Sequence, residues 1–328
     1  NCDGRIDEVC TWMLNITSAS SSLNLRDIAA DANNVYLAGT FQGTVSLGNN
    51  NLTSVGADDI FIAKLDKTGS IIWFRQYGGT GRDDVFKITP TTKGLYVSGH
   101  FQNSITLDNK TFTSLGSRDL FHVKLNDSGQ LLWSKHIGST SDEYYCTHLI
   151  HNNDVYLLGQ MAGPITVDAN TLTLKGKNDI YVAKYDTSGG LKWLKQGHET
   201  NGSVGWAYMA TDGTTLYITL ESKKEFTFNN TKITHTGDEA GILLAVNTQG
   251  SVSWHKKYVV GGGQFNRINV PNVTADKNAV YLSISYTGQL TFDGKTYNKT
   301  QYAEYDGLIA KVSPTGTALW DVQLKVKQ

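Results

Sequence analysis

The residues best suited to contact another molecule are Arg82, Asp83, Asp84, Tyr144, Tyr145, Trp206, Tyr208, Phe265 and Arg267, all close to Gly- and Ser-rich connections. Aromatic rings offer flat stacking surfaces and arginine a forked set of donors, a combination suited to protein or carbohydrate recognition. The plainer reading of Trp206 and Tyr145 is packing between neighbouring sheets.

Signals of catalysis are weak by comparison. Eight histidines are scattered, with neither a His-Glu-x-x-His nor a Cys-x-x-Cys spacing for zinc. His148 and His151, three apart in a strand, fall on opposite faces. Cys146 and His148 share a face, which allows a nucleophile–base pair, although a packed thiol beside a satisfied imidazole is the simpler reading and the one expected. Gly294-Lys295-Thr296 ends like a phosphate loop, but its partner glycine is misplaced and no helix follows. Asn201 to Gly205 narrowly misses a nucleophile elbow, and no EF-hand spacing occurs. The expectation is therefore no enzyme, no catalytic residue, no metal and no cofactor.

Aspartate recurs at Asp59, Asp119, Asp179 and Asp306, opening one strand of each unit. A ring of such carboxylates could bind a cation or sugar; the alternative is that each accepts from backbone N–H groups of the preceding turn.

Composition narrows the partners. With 29 basic and 30 acidic residues, the chain lacks the basic excess of a phosphate-backbone binder, so no nucleic-acid partner is expected. No apolar run approaches the roughly 20 residues of a membrane-spanning helix. At 39% hydrophobic and 18% charged residues over 328 positions, the chain can bury a sizeable core. Cys2 and Cys10 flank a short polar loop and could close a disulfide in an oxidising compartment, leaving Cys146 as a buried thiol. Three reduced cysteines, or a lipid on Cys2, are the other readings.

What must position these residues is a repeat. Trp12, Trp73, Trp133, Trp193, Trp254 and Trp320 are separated by 61, 60, 60, 61 and 66 residues. Tyr36, Tyr96, Tyr156, Tyr217 and Tyr281 keep nearly the same period, as do Gly69, Gly129, Gly189, Gly250 and Gly316. Each unit reads as four strands with period-two alternation, for example 84–89, 95–101, 119–125 and 130–136, with a Thr-rich hairpin at 104–114. Turns such as Asp66-Lys67-Thr68-Gly69 pair a capping side chain with a glycine that takes positive φ.

Tandem four-stranded units of equal length suit an all-β, five-bladed β-propeller, with apolar and aromatic side chains sandwiched between blades. The blades fall at about 25–79, 80–139, 140–199, 200–260 and 261–325, in a single domain. The surplus strand, Val9 to Ile16 within the segment 1–24, is expected to close the ring along the last blade.

The runs DIFIAKLDKTGSIIWFRQYGG (59–79), GLYVSGHF (94–101), DLFHVKLNDSGQLLWSKHIG (119–138) and DIYVAKYDTSGGLKWLK (179–195) resemble the bacterial β-propeller repeat family abbreviated SBBP. The likeness covers about residues 10–325 and departs in the fourth unit, where Glu239-Ala240 replaces aspartate and Leu220 replaces glycine. It implies a propeller of secreted or surface-attached bacterial proteins, and it carries no catalytic motif. The sialidase Asp-box is excluded, because Gly69 lies four residues before Trp73.

Function is thus expected to be a non-enzymatic extracellular or cell-surface binding module, lipid-anchored if Cys2 is modified, that recognises a protein or glycan through inter-blade loops. A structural subunit of a surface complex is the second reading, and a channel-sited hydrolase or lyase the third. The inner-strand segments (RDIAAD, DVFKIT, YYCTHLI) are mostly small or apolar, which argues against the third.

Overall fold

The computed structural model describes residues 13–18, 22–223, 225–261, 266–299 and 305–325. Strand accounts for 68% of the described residues, and no helix occurs among them. The chain divides into two units, residues 1–148 and 149–328.

In the first unit two antiparallel sheets of four strands follow one another. One comprises Ser22–Ala30, Asn34–Gln42, Asp59–Asp66 and Ile71–Tyr77; the other comprises Asp84–Thr91, Gly94–Leu107, Lys110–Leu125 and Leu131–Ile137. Within each sheet the four strands follow one another in chain order and pair antiparallel, as the alternating pattern and Gly turns require. The second unit repeats the scheme in Ala207–Thr211, Leu216–Ser222, Glu239–Val246 and Val252–Gly261, and in Ile268–Asp276, Ala279–Tyr286, Asp306–Val312 and Ala318–Leu324. The ladder glycines all take positive φ, from 77° at Gly129 to 90° at Gly316.

The recurring rings grip the next repeat as well as filling space. Trp73 Nε1 donates to Asp127 O of the following turn at 2.9 Å, Arg75 Nε to Ser128 O at 3.0 Å, and Tyr77 Oη to Gly129 O at 2.5 Å. Trp193 and Trp254 donate in the same way to Thr248 O and Pro314 O, each at 2.9 Å. Tyr36, Tyr96, Tyr156 and Tyr217 are buried. A lysine one strand over caps three of these rings, Lys64, Lys124 and Lys184 standing 5.6, 5.3 and 5.4 Å from the ring centres. That lysine ladder was not read from the sequence. Trp320 differs from its equivalents, being 43% exposed.

The departure in the fourth repeat is an exchange of volume across a ladder. A Cβ on Gly159 would lie 2.5 Å from the ring of Tyr181, its cross-strand partner. At the equivalent pair the ring has become Ile242 and the glycine Leu220. Close packing permits either solution, not a mixture.

Further pairings join one repeat to the next. The short hairpin of a repeat attaches to the outer strand of the repeat before it: Phe226–Phe228 pairs with Leu191–Glu199, and Gln289–Phe292 with Val252–Gly261. Ile16–Ser18 takes that same place against Thr44–Leu47; the first half of the strand expected to close the ring, Val9 to Trp12, lies outside the described residues. A three-residue strand finds its unpaired partner in the nearest hairpin, which requires no long-range closure. Trp12, Cys2 and Cys10 lie outside the described residues.

Candidate functional site

The four recurrent aspartates are structural acceptors. Asp59 Oδ2 accepts from Val55 N–H (2.9 Å) and Gln76 Nε2 (2.5 Å), and Asp179 Oδ2 from Lys175 N–H (2.8 Å) and Gln196 Nε2 (2.6 Å). Asp119 is held by Leu115 N–H at 2.8 Å and His136 Nε2 at 2.5 Å. Asp59, Asp119 and Asp179 thus each tie a turn to its strand, while Asp306 accepts from Gln323 Nε2 at 3.2 Å. Among the described residues no group of three or more His, Cys, Asp or Glu could hold a metal ion.

Cys146 and His148 are also structural. Cys146 Sγ, fully buried, donates to Gly99 O at 3.2 Å. His148 Nδ1 meets Ser98 Oγ at 2.6 Å and its Nε2 meets Thr89 Oγ1 at 2.9 Å, while His122 Nδ1 reaches the same Ser98 Oγ at 2.7 Å. The thiol and both His148 ring nitrogens are thus bonded to other partners, and burial pushes the thiol pKa up, which argues against a nucleophile–base pair.

Chemistry collects instead in a cavity of about 330 Å³ in the first unit. Its walls carry Ser22, Asn24, Arg26, Thr40, Asp58, Arg82, Asp83, Asp84, His100 and Arg118. Repetition explains the placement. Asn24 faces Thr40 in the ladder of the first sheet, and sixty residues on Asp84 faces His100 in the second. Arg26 occupies a register shift between Leu25 and Asp27, an extra residue that re-aims its side chain. Phe86 sits at the matching shift and packs on His100, ring centres 5.1 Å apart. The connection bearing Arg82 is pinned by Asp83 N–H to Asp58 O (2.7 Å) and Gln102 N–H to Arg82 O (3.1 Å). Such close approach requires glycine, since a Cβ at Gly81 would lie 2.1 Å from Gln102 O.

Three guanidinium groups face the cavity, and two are neutralised. Arg26 bonds Asp84 Oδ2 at 2.5 Å, and Arg82 Nε bonds Asp58 Oδ2 at 2.7 Å. Arg118 has no carboxylate within ion-pair distance among the described residues; Tyr144 covers one face of its guanidinium at 4.9 Å, and its buried Nε has no partner. His100 is 6% exposed, and neither ring nitrogen has a partner among the described residues. Burial, followed by the charges of Arg118, Arg26 and Arg82, pulls its pKa down to about 3, so the imidazole is neutral. Burial also lifts the Asp83 carboxyl to about 8, against the Gly79 N–H that bonds it at 2.9 Å.

Of the residues singled out from the sequence, Arg82, Asp83 and Asp84 line this cavity and Tyr144 stacks on its wall. Tyr145 lies 6.2 Å from the Phe86 ring. In the second unit Trp206 is 53% exposed, Tyr208 packs against the core, and the Arg267 backbone pairs with Thr287. Phe265 lies outside the described residues. Arg26, Asp58, His100 and Arg118 were missed. The signal was present: the residue after Gly39, Gly99 and Gly159 runs Thr40, His100, Gln160, and the one before the recurrent aspartate runs Asp58, Arg118, Asn178. Polar variation beside fixed positions marks a face where the repeats differ. The inner strands are therefore less apolar in their function than they read, since Arg26 and Asp84 turn polar groups into the cavity.

No family model and no curated protein matches the sequence. Among solved structures the chain matches the acylaminoacyl peptidase of Pyrococcus horikoshii, at 10% identity and a TM-score of 0.36, over 93% of this chain and 53% of that one. The chain thus spans about half the length of that peptidase. This neighbour is an enzyme, and the expectation of a non-enzymatic module binding a protein or glycan through its loops is withdrawn against it. A likeness of this size carries no activity across.

Proposed function

We propose that the five repeats are the blades of a β-propeller, as the SBBP resemblance implies, and that the chain binds a small anionic ligand in the cavity between its first two sheets. One observation supports the second point above all: His100 is buried on the cavity wall with both ring nitrogens unpartnered among the described residues. Leaving such a group unsatisfied costs on the order of 1–3 kcal/mol, which a bound molecule recovers. Arg118 supplies the charge, because a guanidinium without a carboxylate in a partly desolvated wall favours an anion.

The test is calorimetric titration of the intact chain with acetate, sulfate and inorganic phosphate at fixed ionic strength, beside Arg118→Gln. Saturable binding of at least one anion, lost in the variant while its melting temperature is kept, supports the reading. Failure of every anion to bind overturns it.

A further inference from the structure

We propose that the ligand is a hydroxy acid, its carboxylate on Arg118 and a hydroxyl on His100. The inference rests on the anion-binding reading and narrows it by the donors and acceptors the walls leave over. A neutral imidazole has one N–H and one lone pair. Both are buried in this site without partners. The two nitrogens point away from one another, so one ligand group meets one of them, and a hydroxyl serves whichever faces the cavity, accepting from an N–H or donating to a lone pair. A fully ionised oxyanion has only acceptors and would set its oxygens against the imidazole lone pair. Asp84 points the same way: Arg26 holds its Oδ2, and its buried Oδ1 has no partner, so that oxygen asks for a further donor.

Charge sets the remainder. Asp84 and Asp58 offset Arg26 and Arg82, leaving the single charge of Arg118 for one carboxylate. An ammonium could also donate to Asp84 Oδ1, but it would bring a second positive charge beside Arg118, which disfavours amino acids. A volume of about 330 Å³ is small for a ligand site, and the hydroxyl, amide and guanidinium walls offer little apolar contact.

Glycerate is the probe, titrated into the intact chain beside acetate, inorganic phosphate and alanine at fixed ionic strength. Glycerate should bind at least tenfold more tightly than the other three. His100→Leu should bring glycerate down to the level of acetate without weakening acetate, and His100→Gln, which keeps a donor and an acceptor, should restore part of the preference. Where His100→Leu fails to fold, Arg118→Gln serves, and should weaken glycerate and acetate alike. Phosphate or alanine equal to glycerate would overturn the hydroxy-acid assignment while leaving anion binding in place. Absence of binding by all the anions would overturn both.

Discussion

Asp84 and His100 stand opposite one another in the second sheet, yet the carboxylate bonds Arg26 of the first sheet at 2.5 Å and the imidazole bonds no described residue. The carboxylate lends its charge to a guanidinium across the cavity and leaves the imidazole facing it. Asp84→Asn should therefore free Arg26 and remove a negative charge from the wall. Acetate affinity should rise about tenfold, as one charge a few ångströms away in a partly desolvated site implies. Calorimetry decides this, and weakened binding in a folded variant would contradict it.

The volume exchange in the fourth repeat predicts a coupled pair in the third. Gly159→Ala alone should destabilise the fold by roughly 1–3 kcal/mol, because its methyl meets the Tyr181 ring. Adding Tyr181→Ile should recover part of that loss. A denaturant double-mutant cycle measures the coupling, and strictly additive effects would refute it.

The indole bonds predict different costs along one ladder. Trp254→Phe removes the donor to Pro314 O and should cost about 1 kcal/mol beyond lost packing. Trp320 is more exposed than its counterparts, so Trp320→Phe should cost less. Equal shifts in urea midpoint would count against the distinction.

Stability should depend on pH in two opposed ways. His122 is buried and held neutral, its folded pKa near 3 against 6.5 in the unfolded chain. Between those values the unfolded state binds the proton, so stability climbs as pH rises to about 6.5. Asp83 behaves oppositely, with a folded value of about 8 against 3.8, so the folded state retains a proton and its contribution declines from pH 4 to pH 8. Above pH 6.5 the histidine gain is complete, and the melting temperature should fall towards pH 8. Asp83→Asn keeps an acceptor for Gly79 N–H and should abolish that fall; an unaltered slope would rule Asp83 out.

Cys146 is fully buried and its thiol is pushed well above its ordinary pKa by burial. Iodoacetamide should leave it unmodified in the native protein and alkylate it in denaturant, as peptide mass mapping would reveal. Rapid native labelling would show that its surroundings open.

By itself the sequence determined the repeating strand order, the positive-φ turns at Gly69 and its equivalents, and the burial of Tyr96 and its fellows. These follow from period and local backbone chemistry, which neighbouring residues already encode. Tertiary structure decided where Ile16–Ser18 pairs, that Lys64 caps Tyr36, and that Arg26, Asp58, His100 and Arg118 share one cavity. Those four come from separate strands and connections up to 92 residues apart, as their numbers 26 and 118 record, and only the stacking of one sheet on the next brings them together. A single chain read end to end carries no distance between such positions, and the bulge that re-aims Arg26 exists only once its strand has paired.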